Sequence, residues 1–558
     1  MVKSIKIRIL PSGKETTAEA GETLNDVLQR AGVPLEAACG GEGTCGRCAV
    51  QVVKGHCDWP GSDLLPSKML KEGYVLSCQA TAADDLVVKI PDLTEVTIGE
   101  LTPYTMPEAE TAALGPLSPL AIEGVLTDRS FGIACDIGTT TVALKLVNLK
   151  TGRLLDTVGA YNDQIVCGAD VISRIIYSQK KGRLQELKDR VLGTVNGLLG
   201  ALLPLHGVSP TEVIGAVFAG NTTMTHLMLG VDPQSIREAP YVPPMKSVPV
   251  LSAEKVGVHI HPEAPVLFSP HVGSYVGGDI TAGMLVARMR RRPHGVELFI
   301  DIGTNGELVI SGDDWMIGCA CSAGPAFEGV GIKCGMRAAS GAIESVEIRN
   351  RGSEVELKLI GDGPPRGICG SGLIELVADL FTAGLLGRDG KFTELAPRDR
   401  IRVTGKSKSF ALVEAGRSAT GRDISISEQD IANIMRAKAA IFSAAFLLLK
   451  NVGVSWRDIH KFHVAGGFGH SLNIRKAIVL GMFPDIAPDR FEYLGNTSLQ
   501  GAYLALVSGD QRWKLGEIAR SMTYIDLSAE PDYMNEYTAA LFLPHTDAKL
   551  FPSVTRRA

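Results

Sequence analysis

A chain of 558 residues is too long for one ordinary domain and calls for about three or four. Hydrophobic residues make up 45% and charged residues 21%, a globular balance that excludes wholesale disorder. With 56 basic against 61 acidic residues the formal net charge is -5, and nothing in that balance points to nucleic acid.

No run reaches the ~20 apolar residues needed to span a bilayer; the longest, 439–449, is closed by Lys438 and Lys450. The N-terminus alternates charged and apolar residues and lacks the apolar stretch of a secretory signal. The expectation is a soluble, cytoplasmic protein with no membrane partner. In a reducing compartment, clustered cysteines hold metal or carry redox chemistry rather than pairing. Of the 11 cysteines, Cys39, Cys45, Cys48, Cys57 and Cys78 crowd the N-terminal end.

Residues 1–96 read as one unit. The stretch 4–10 alternates as a strand, Gly13 turns, and 14–18 returns as its hairpin partner. Thr23 caps a short helix over 24–31, which ends at Gly32. The cysteine loop follows, then strands over 49–53 and 86–90 on either side of the Cys78 segment. This β-grasp-like order is short of apolar core, so a bound cluster would help hold it. The loop is Cys39-Gly-Gly-Glu-Gly-Thr-Cys45-Gly-Arg-Cys48, with Cys78 further on. Four thiolates suit a [2Fe–2S] cluster, two to each iron. Gly40, Gly41, Gly43 and Gly46 let the loop wrap and aim N–H groups at the sulfides. The C-x5-C-x2-C spacing resembles the adrenodoxin-like branch of ferredoxins. Zinc is the alternative for four cysteines, but zinc ribbons favour paired C-x2-C knuckles and only one is present. Cys57 has no partner at ligand spacing and reads as a bystander.

From 97 to 128 the character changes: prolines stand at 103, 107, 116 and 119, and every charged residue from Glu100 to Asp128 is acidic. This reads as a semi-extended linker, with a loop packed on a domain surface as the alternative.

The remainder contains an internal echo. FGIACDIGTTTVALKLV at 131–147 is matched by VELFIDIGTNGELVI at 296–310. In both, an apolar run ends in Asp-Ile-Gly-Thr and turns into a second strand. One repeat at so long a period suggests two related lobes, 129–270 and 271–558, rather than a solenoid. Both lobes read as α/β, with helical patterns over 169–176, 184–203 and 431–449. The last begins at Ser427-Glu-Gln-Asp430, a capping-box-like start, and sets Ile431, Ile434, Ile441 and Leu448 on one face.

Each echo places a carboxylate, Asp136 or Asp301, at a strand end. Gly138, Thr139 and Thr140 follow the first; Gly303, Thr304 and Asn305 follow the second. Their N–H and hydroxyl groups can face a phosphate, and Asn305-Gly306 is a tight hairpin pair. No G-x-x-x-x-G-K-[ST] string occurs, which argues against a P-loop NTPase. Two carboxylates suit Mg²⁺ held through water. We assign Asp136 to water-mediated Mg²⁺ binding and Asp301 to positioning or activating water, roles the sequence leaves interchangeable. A third element, FHVAGGFG at 462–469, runs a strand into Gly466 and Gly467 and then a helix over 472–479, permitting close approach of a base or sugar.

Other features read more plainly. Cys319, Cys321 and Cys334 lie in an apolar run and read as buried thiols. Gly370-Ser-Gly372 opens a helix over 373–381, where Ser371 either caps it or meets phosphate. His463 and His470 read as structural or exposed rather than as general bases. Asn221 to Thr223, after a strand over 214–218, are candidates to line a cleft.

DIGTTT, DIGTNG and VAGGFG together resemble the phosphate-1, phosphate-2 and adenosine motifs of the acetate and sugar kinase, Hsp70 and actin superfamily. With CGGEGTCGRC ahead of them, the chain resembles the reductive activators of corrinoid proteins over nearly its whole length. AGNTTM at 219–224, YVGGD at 275–279, SAGPAFE at 322–328 and AALFLPH at 539–545 add to the likeness. Archaeal-type activators carry C-terminal cysteine clusters; here no cysteine follows Cys369, leaving the N-terminal cluster as the one redox centre. The resemblance implies a multidomain α/β protein, a β-grasp [2Fe–2S] ferredoxin joined to a two-lobed, ribonuclease-H-like ATPase. It implies ATP-dependent, one-electron reduction of cob(II)alamin to cob(I)alamin on the corrinoid protein of a methyltransferase system. It also implies an external low-potential electron donor and a homodimer. The alternatives are an activator of a non-corrinoid low-potential enzyme, and an actin-like regulator that senses the cluster without delivering electrons.

Overall fold

The structure, a computed structural model, describes residues 5–19, 21–31, 33, 48–61, 65, 67–90, 117–289, 295–329, 331–404, 407–466 and 472–555. Cys39, Cys45, Gly467, His470 and the stretch 97–116 lie outside the described residues. The chain forms two compact units, Met1–Phe268 with Leu506–Gly509, and Ser269–Ala505 with Asp510–Ala558.

The first unit opens with a five-stranded sheet in the order Lys14–Ala18, Ile5–Leu10, Leu86–Lys89, Ala49–Lys54, Tyr74–Leu76. Ile5, Ile7 and Ile9 alternate inward, as the pleat requires. The helix Leu24–Arg30 lays Leu24, Val27 and Leu28 on that face, and the Thr23 hydroxyl accepts from the Asp26 N–H at 3.2 Å to cap it. Ile5–Leu10 runs parallel to Leu86–Lys89 while the hairpin is antiparallel, which is the β-grasp arrangement.

A six-stranded sheet follows, ordered Leu154–Tyr161, Thr141–Asn148, Phe131–Ile137, Val213–Gly220, Pro265–Phe268, Leu251–Ser252. The first three strands form an antiparallel meander; Val213–Gly220 and Pro265–Phe268 join parallel to Phe131–Ile137. The helices Val171–Ser178 and Arg183–Leu205 belong with this sheet, the second burying Leu187, Val191, Val195, Leu198 and Leu202. Ser118 and Leu120 donate to the carbonyls of Val507 and Leu506, and Ile122 to that of Ile214. The C-terminal part of the 97–128 stretch is thereby packed on this unit.

The second unit repeats the plan. Its main sheet runs Phe491–Gly495, Ile459–Gly466, Val296–Ile302, Gly306–Ser311, Met316–Cys321, Met522–Tyr524. Again a central strand starts an antiparallel meander and carries two parallel strands on its other side. The 131–147 and 296–310 echo is therefore the visible part of a whole-sheet duplication.

The longest helix, Glu428–Asn451, runs through the second unit's core. Ser427 and Asp430 form its capping box, and Ile431, Ile434, Ile441 and Leu448 are all buried. By length and composition it alone among the described residues would suit a membrane, but most of it is covered by its own unit. Lys438 lies fully inside, its Nζ donating to the carbonyls of Phe542 and Pro544. The helix Gly370–Thr382 starts three residues earlier than its sequence pattern suggests. Ser371 sits inside its first turn and donates to Glu344 O at 2.8 Å, so it does not cap the helix.

Candidate cluster and nucleotide sites

Cys48 immediately precedes the strand Ala49–Lys54, and Cys78 lies just past Tyr74–Leu76. These strands are antiparallel neighbours with Ala49 opposite Leu76, which brings the two Sγ atoms to 3.3 Å. Both residues are buried in a small apolar cluster with Ala49, Leu65 and Leu76. The sulfur contact with Cys78 pulls the Cys48 thiol down to about 6 against the opposing effect of burial. Two converging thiols, one already acidic, shielded from water, are half of the donor set that a four-thiolate cluster needs. Cys39 and Cys45 lie outside the described residues.

The other cysteines differ. Cys57 is buried, and burial with nearby Asp58 and Asp84 raises its thiol. Cys319 and Cys321 are buried on Met316–Cys321, and burial raises both. Among the described residues no group of three or more His, Cys, Asp or Glu is spaced to hold a metal ion directly.

The first Asp-Ile-Gly-Thr turn is built on Phe131–Ile137. Asp136 faces Ala143 across the meander and Ala219 across the parallel pair. Thr139 and Thr140 are both buried. A side chain at Gly138 would place its Cβ 2.5 Å from Thr141 O. Asn221, which accepts from Met224 N–H to cap the helix Thr222–Leu229, donates through Nδ2 to the Thr139 hydroxyl at 2.9 Å. The AGNTTM segment thus lies against this turn. Asn162 and the fully buried Arg174, neither of which the sequence singles out, also reach it.

The second turn occupies the same place in its own sheet. Asp301 faces Ala465 across the parallel pair and Glu307 across the meander. Gly303 N–H bonds Asn305 O at 2.9 Å, and the Thr304 hydroxyl donates to Glu328 Oε1 at 2.8 Å; Arg337 pairs with that Glu328. Burial, then Asp279 and Asp301, push the Glu307 carboxyl well above the usual carboxylate range. Asp279 stands in the first turn of the helix Gly278–Ala287. Glu307 and Asp279 join the candidate acidic group here. Their signals were the carboxylate directly after Asn305-Gly306 and the acid after the Gly277-Gly278 pair.

Gly466 aligns with Ile302, as Gly220 does with Ile137. A Cβ at Gly466 would sit 2.2 Å from Ile302 O, and one at Gly220 2.9 Å from Ile137 O. Gly220 and Gly466 are therefore close approaches at matching places in the duplicated sheets. His463 is buried on the flank of its strand, with Nε2 3.3 Å from Glu297 and Nδ1 3.5 Å from Glu492.

Three family descriptions match the chain: a 2Fe-2S iron-sulfur cluster binding domain over 7–83, the RACo middle region over 131–292, and the C-terminal domain of RACo, the ASKHA domain, over 295–555. A solved structure titled reductive activator for corrinoid, iron-sulfur protein is 38% identical, with a TM-score of 0.75, covering 99% of this chain and 100% of that one. The corrinoid activation enzyme RamQ of Eubacterium limosum is 29% identical over 92% of this chain and 95% of its own. A Methanosarcina barkeri reductase of the Co(II) methylated amine-specific corrinoid protein is 25% identical over 74% of this chain and 76% of its own. The chain is a [2Fe–2S]-type ferredoxin domain followed by an ASKHA-type α/β region, and it belongs to the family of reductive activators of corrinoid proteins.

Proposed function

We propose that this protein carries out ATP-dependent, one-electron reduction of a corrinoid protein from cob(II)alamin to cob(I)alamin, returning it to methyl transfer. The observation that carries the reading is the union in one chain of a ferredoxin fold holding the Cys48–Cys78 thiol pair with a duplicated sheet bearing an Asp turn in each copy.

Cys39, Cys45, Cys48 and Cys78 would hold the cluster, and the apolar residues behind Cys48 and Cys78 keep water from that side. When bound, a [2Fe–2S] cluster supplies a one-electron carrier, at about −400 mV in plant-type ferredoxins. Gly138, Thr139 and Thr140, with Gly303, Thr304 and Asn305, would take the nucleotide phosphates through N–H and hydroxyl donors. Gly466 and Gly467 would admit the adenosine. Asp136 would anchor Mg²⁺ through water, and Asp301 would orient the attacking water, with Asp279 and Glu307 adding to its acidic surroundings.

Each 100 mV of uphill gap costs about 2.3 kcal/mol for one electron, by the relation that sets 59 mV per tenfold. Nucleotide turnover can offset it only if its state changes the complex with the corrinoid protein. The part of the 97–128 stretch that precedes the packed residues 117–122 enters this proposal as the connection that lets the cluster serve both an external low-potential donor and the cobalt.

The test is an anaerobic assay of the purified protein with candidate methyltransferase corrinoid subunits, followed optically. The Co(I) band should grow only when ATP and a reductant are both present, and oxidised cobalt protein should accelerate ATP turnover. Cys45→Ser should abolish reduction while ATP binding survives. Reduction that persists in that variant, or proceeds without ATP, would contradict the scheme.

A further inference from the structure

The first Asp-Ile-Gly-Thr turn is held from beneath by two residues outside it. Asn162 Nδ2 donates to Gly138 O at 3.0 Å, and the Asn162 backbone N–H donates to Thr140 O at 3.0 Å. Between them, Arg174 Nη2 donates to Thr139 O. Three successive carbonyls are thus drawn into the protein by two side chains and one amide.

Both clamps are rigid. Asn162 is fully buried, and its Oδ1 accepts from Gln164 N–H at 3.1 Å, which fixes its amide with Nδ2 toward the turn. Arg174, on the helix Val171–Ser178, is fully buried; Nη1 donates to Gln164 Oε1 at 3.0 Å and Nε to Gly168 O at 2.9 Å. A guanidinium whose planar fork is spread over three fixed acceptors has little freedom to follow a moving loop.

The consequence follows from peptide geometry. In a trans peptide the N–H points opposite to the C=O of the same plane. Drawing Gly138 O inward therefore turns the Thr139 N–H, in the same peptide plane, to the opposite side of the turn. A turn N–H presented in this way is a donor for an anion. Asn221 adds to it: by donating to the Thr139 hydroxyl oxygen, it leaves that hydroxyl's own proton to be given elsewhere. The buried positive charge of Arg174 beneath the turn favours an anion above it.

We infer that Arg174 and Asn162 are positioning residues that lock the Gly138–Thr140 turn as a preformed cradle for a nucleotide phosphate. This rests on the nucleotide reading proposed above and deepens it: the affinity for phosphate is set from behind the turn by residues that never touch the nucleotide. The other turn is organised differently, through Gly303 N–H on Asn305 O and Thr304 on Glu328.

The experiment compares ATP and adenosine binding to the full-length, cluster-loaded wild type, Arg174→Lys and Asn162→Ala, alongside thermal melts. Losing one clamp and leaving its turn carbonyl unpaired should weaken ATP roughly 10- to 100-fold, while adenosine, which has no phosphate, stays within about twofold. KM for ATP should rise more than kcat falls. In the wild type, ATP should slow hydrogen exchange at the Thr139 amide, a readout that requires no variant to fold. Folded variants that bind ATP as tightly as wild type, equal losses for ATP and adenosine, or unchanged exchange at that amide would each overturn the inference. A wild type that binds no ATP would instead overturn the nucleotide reading and the inference with it.

Discussion

Asp301 lies directly across an antiparallel strand pair from Glu307, and burial with Asp279 and Asp301 nearby raises the Glu307 carboxyl. The duplicated turn has Ala143 where this one has Glu307, so only the second copy sets a carboxyl group opposite its Asp at this cross-strand position. The raised folded value sets the sign: the folded state holds the Glu307 proton more tightly than the unfolded chain does. Its contribution is complete below about pH 4.5 and is lost as pH rises through the folded value. Glu307→Gln removes the titration. Its stability relative to wild type should increase with pH, by up to about 1.4 kcal/mol per unit within the window. Chemical denaturation at a series of pH values measures this; a difference independent of pH would remove the argument. Asp301→Asn should cut ATP turnover by about 100-fold or more if it orients the attacking water.

Among the described cysteines of the ferredoxin domain, geometry sets the proposed ligands Cys48 and Cys78 apart from Cys57. Cys78 meets Cys48 at 3.3 Å, whereas Cys57 belongs to the main hydrophobic core of the ferredoxin sheet with a raised thiol. Cys78→Ser should therefore lose the visible absorption of the cluster, and Cys57→Ser should keep it at a modest cost in stability, about 1 kcal/mol. Loss of the chromophore in both variants would make Cys57 part of the site.

Local pattern and motif were enough to read the β-grasp strands, the Asp turns and the long helix. The Ile5–Ile7–Ile9 alternation and the Ser427–Asp430 cap act within a few residues, so their physics is written in short strings. Residues that act across the sheet were not legible. Asn162 and Arg174 reach the first turn from segments far along the chain, with nothing in their own neighbourhoods to announce it. The matching of AGN with AGG was hidden because only a strand register pairs Gly220 with Ile137 and Gly466 with Ile302. The extent of packing at 117–122 was likewise out of reach, since proline and acidic content describe a segment's solvation and not the edge it meets.

Those two glycines are not equivalent in cost. Gly466 has φ +116°, which side-chain-bearing residues rarely adopt, and its Cβ would fall 2.2 Å from Ile302 O. Gly220 is outside that region, and its Cβ would meet Ile137 O at 2.9 Å. Gly466→Ala combines backbone strain with a clash against rigid backbone and should cost more than about 3 kcal/mol. Gly220→Ala should cost about 1–2 kcal/mol, through the clash alone. Equal melting temperatures for the two variants would show that strand separation relieves the contact in both.

His226 gives the middle region a pH dependence of opposite sign to that of Glu307. Its ring is fully buried, with Nδ1 2.7 Å from Thr222 O and Nε2 accepting from Met245 N–H at 3.3 Å. Burial lowers its pKa from 6.5, against the raising effect of the Thr222 carbonyl. The neutral ring satisfies both contacts, one nitrogen donating and the other accepting; a protonated ring would turn a second N–H against the Met245 N–H. Because the folded value is depressed, stability from this group is present above about pH 6.5 and is lost as pH falls through the folded value. Denaturation of wild type and His226→Gln between about pH 7.5 and 5.5 should show the wild-type advantage shrinking with acidification. An advantage that holds constant, or grows, would mean that the ring accepts its proton in place and that the Met245 contact does not enforce the neutral form.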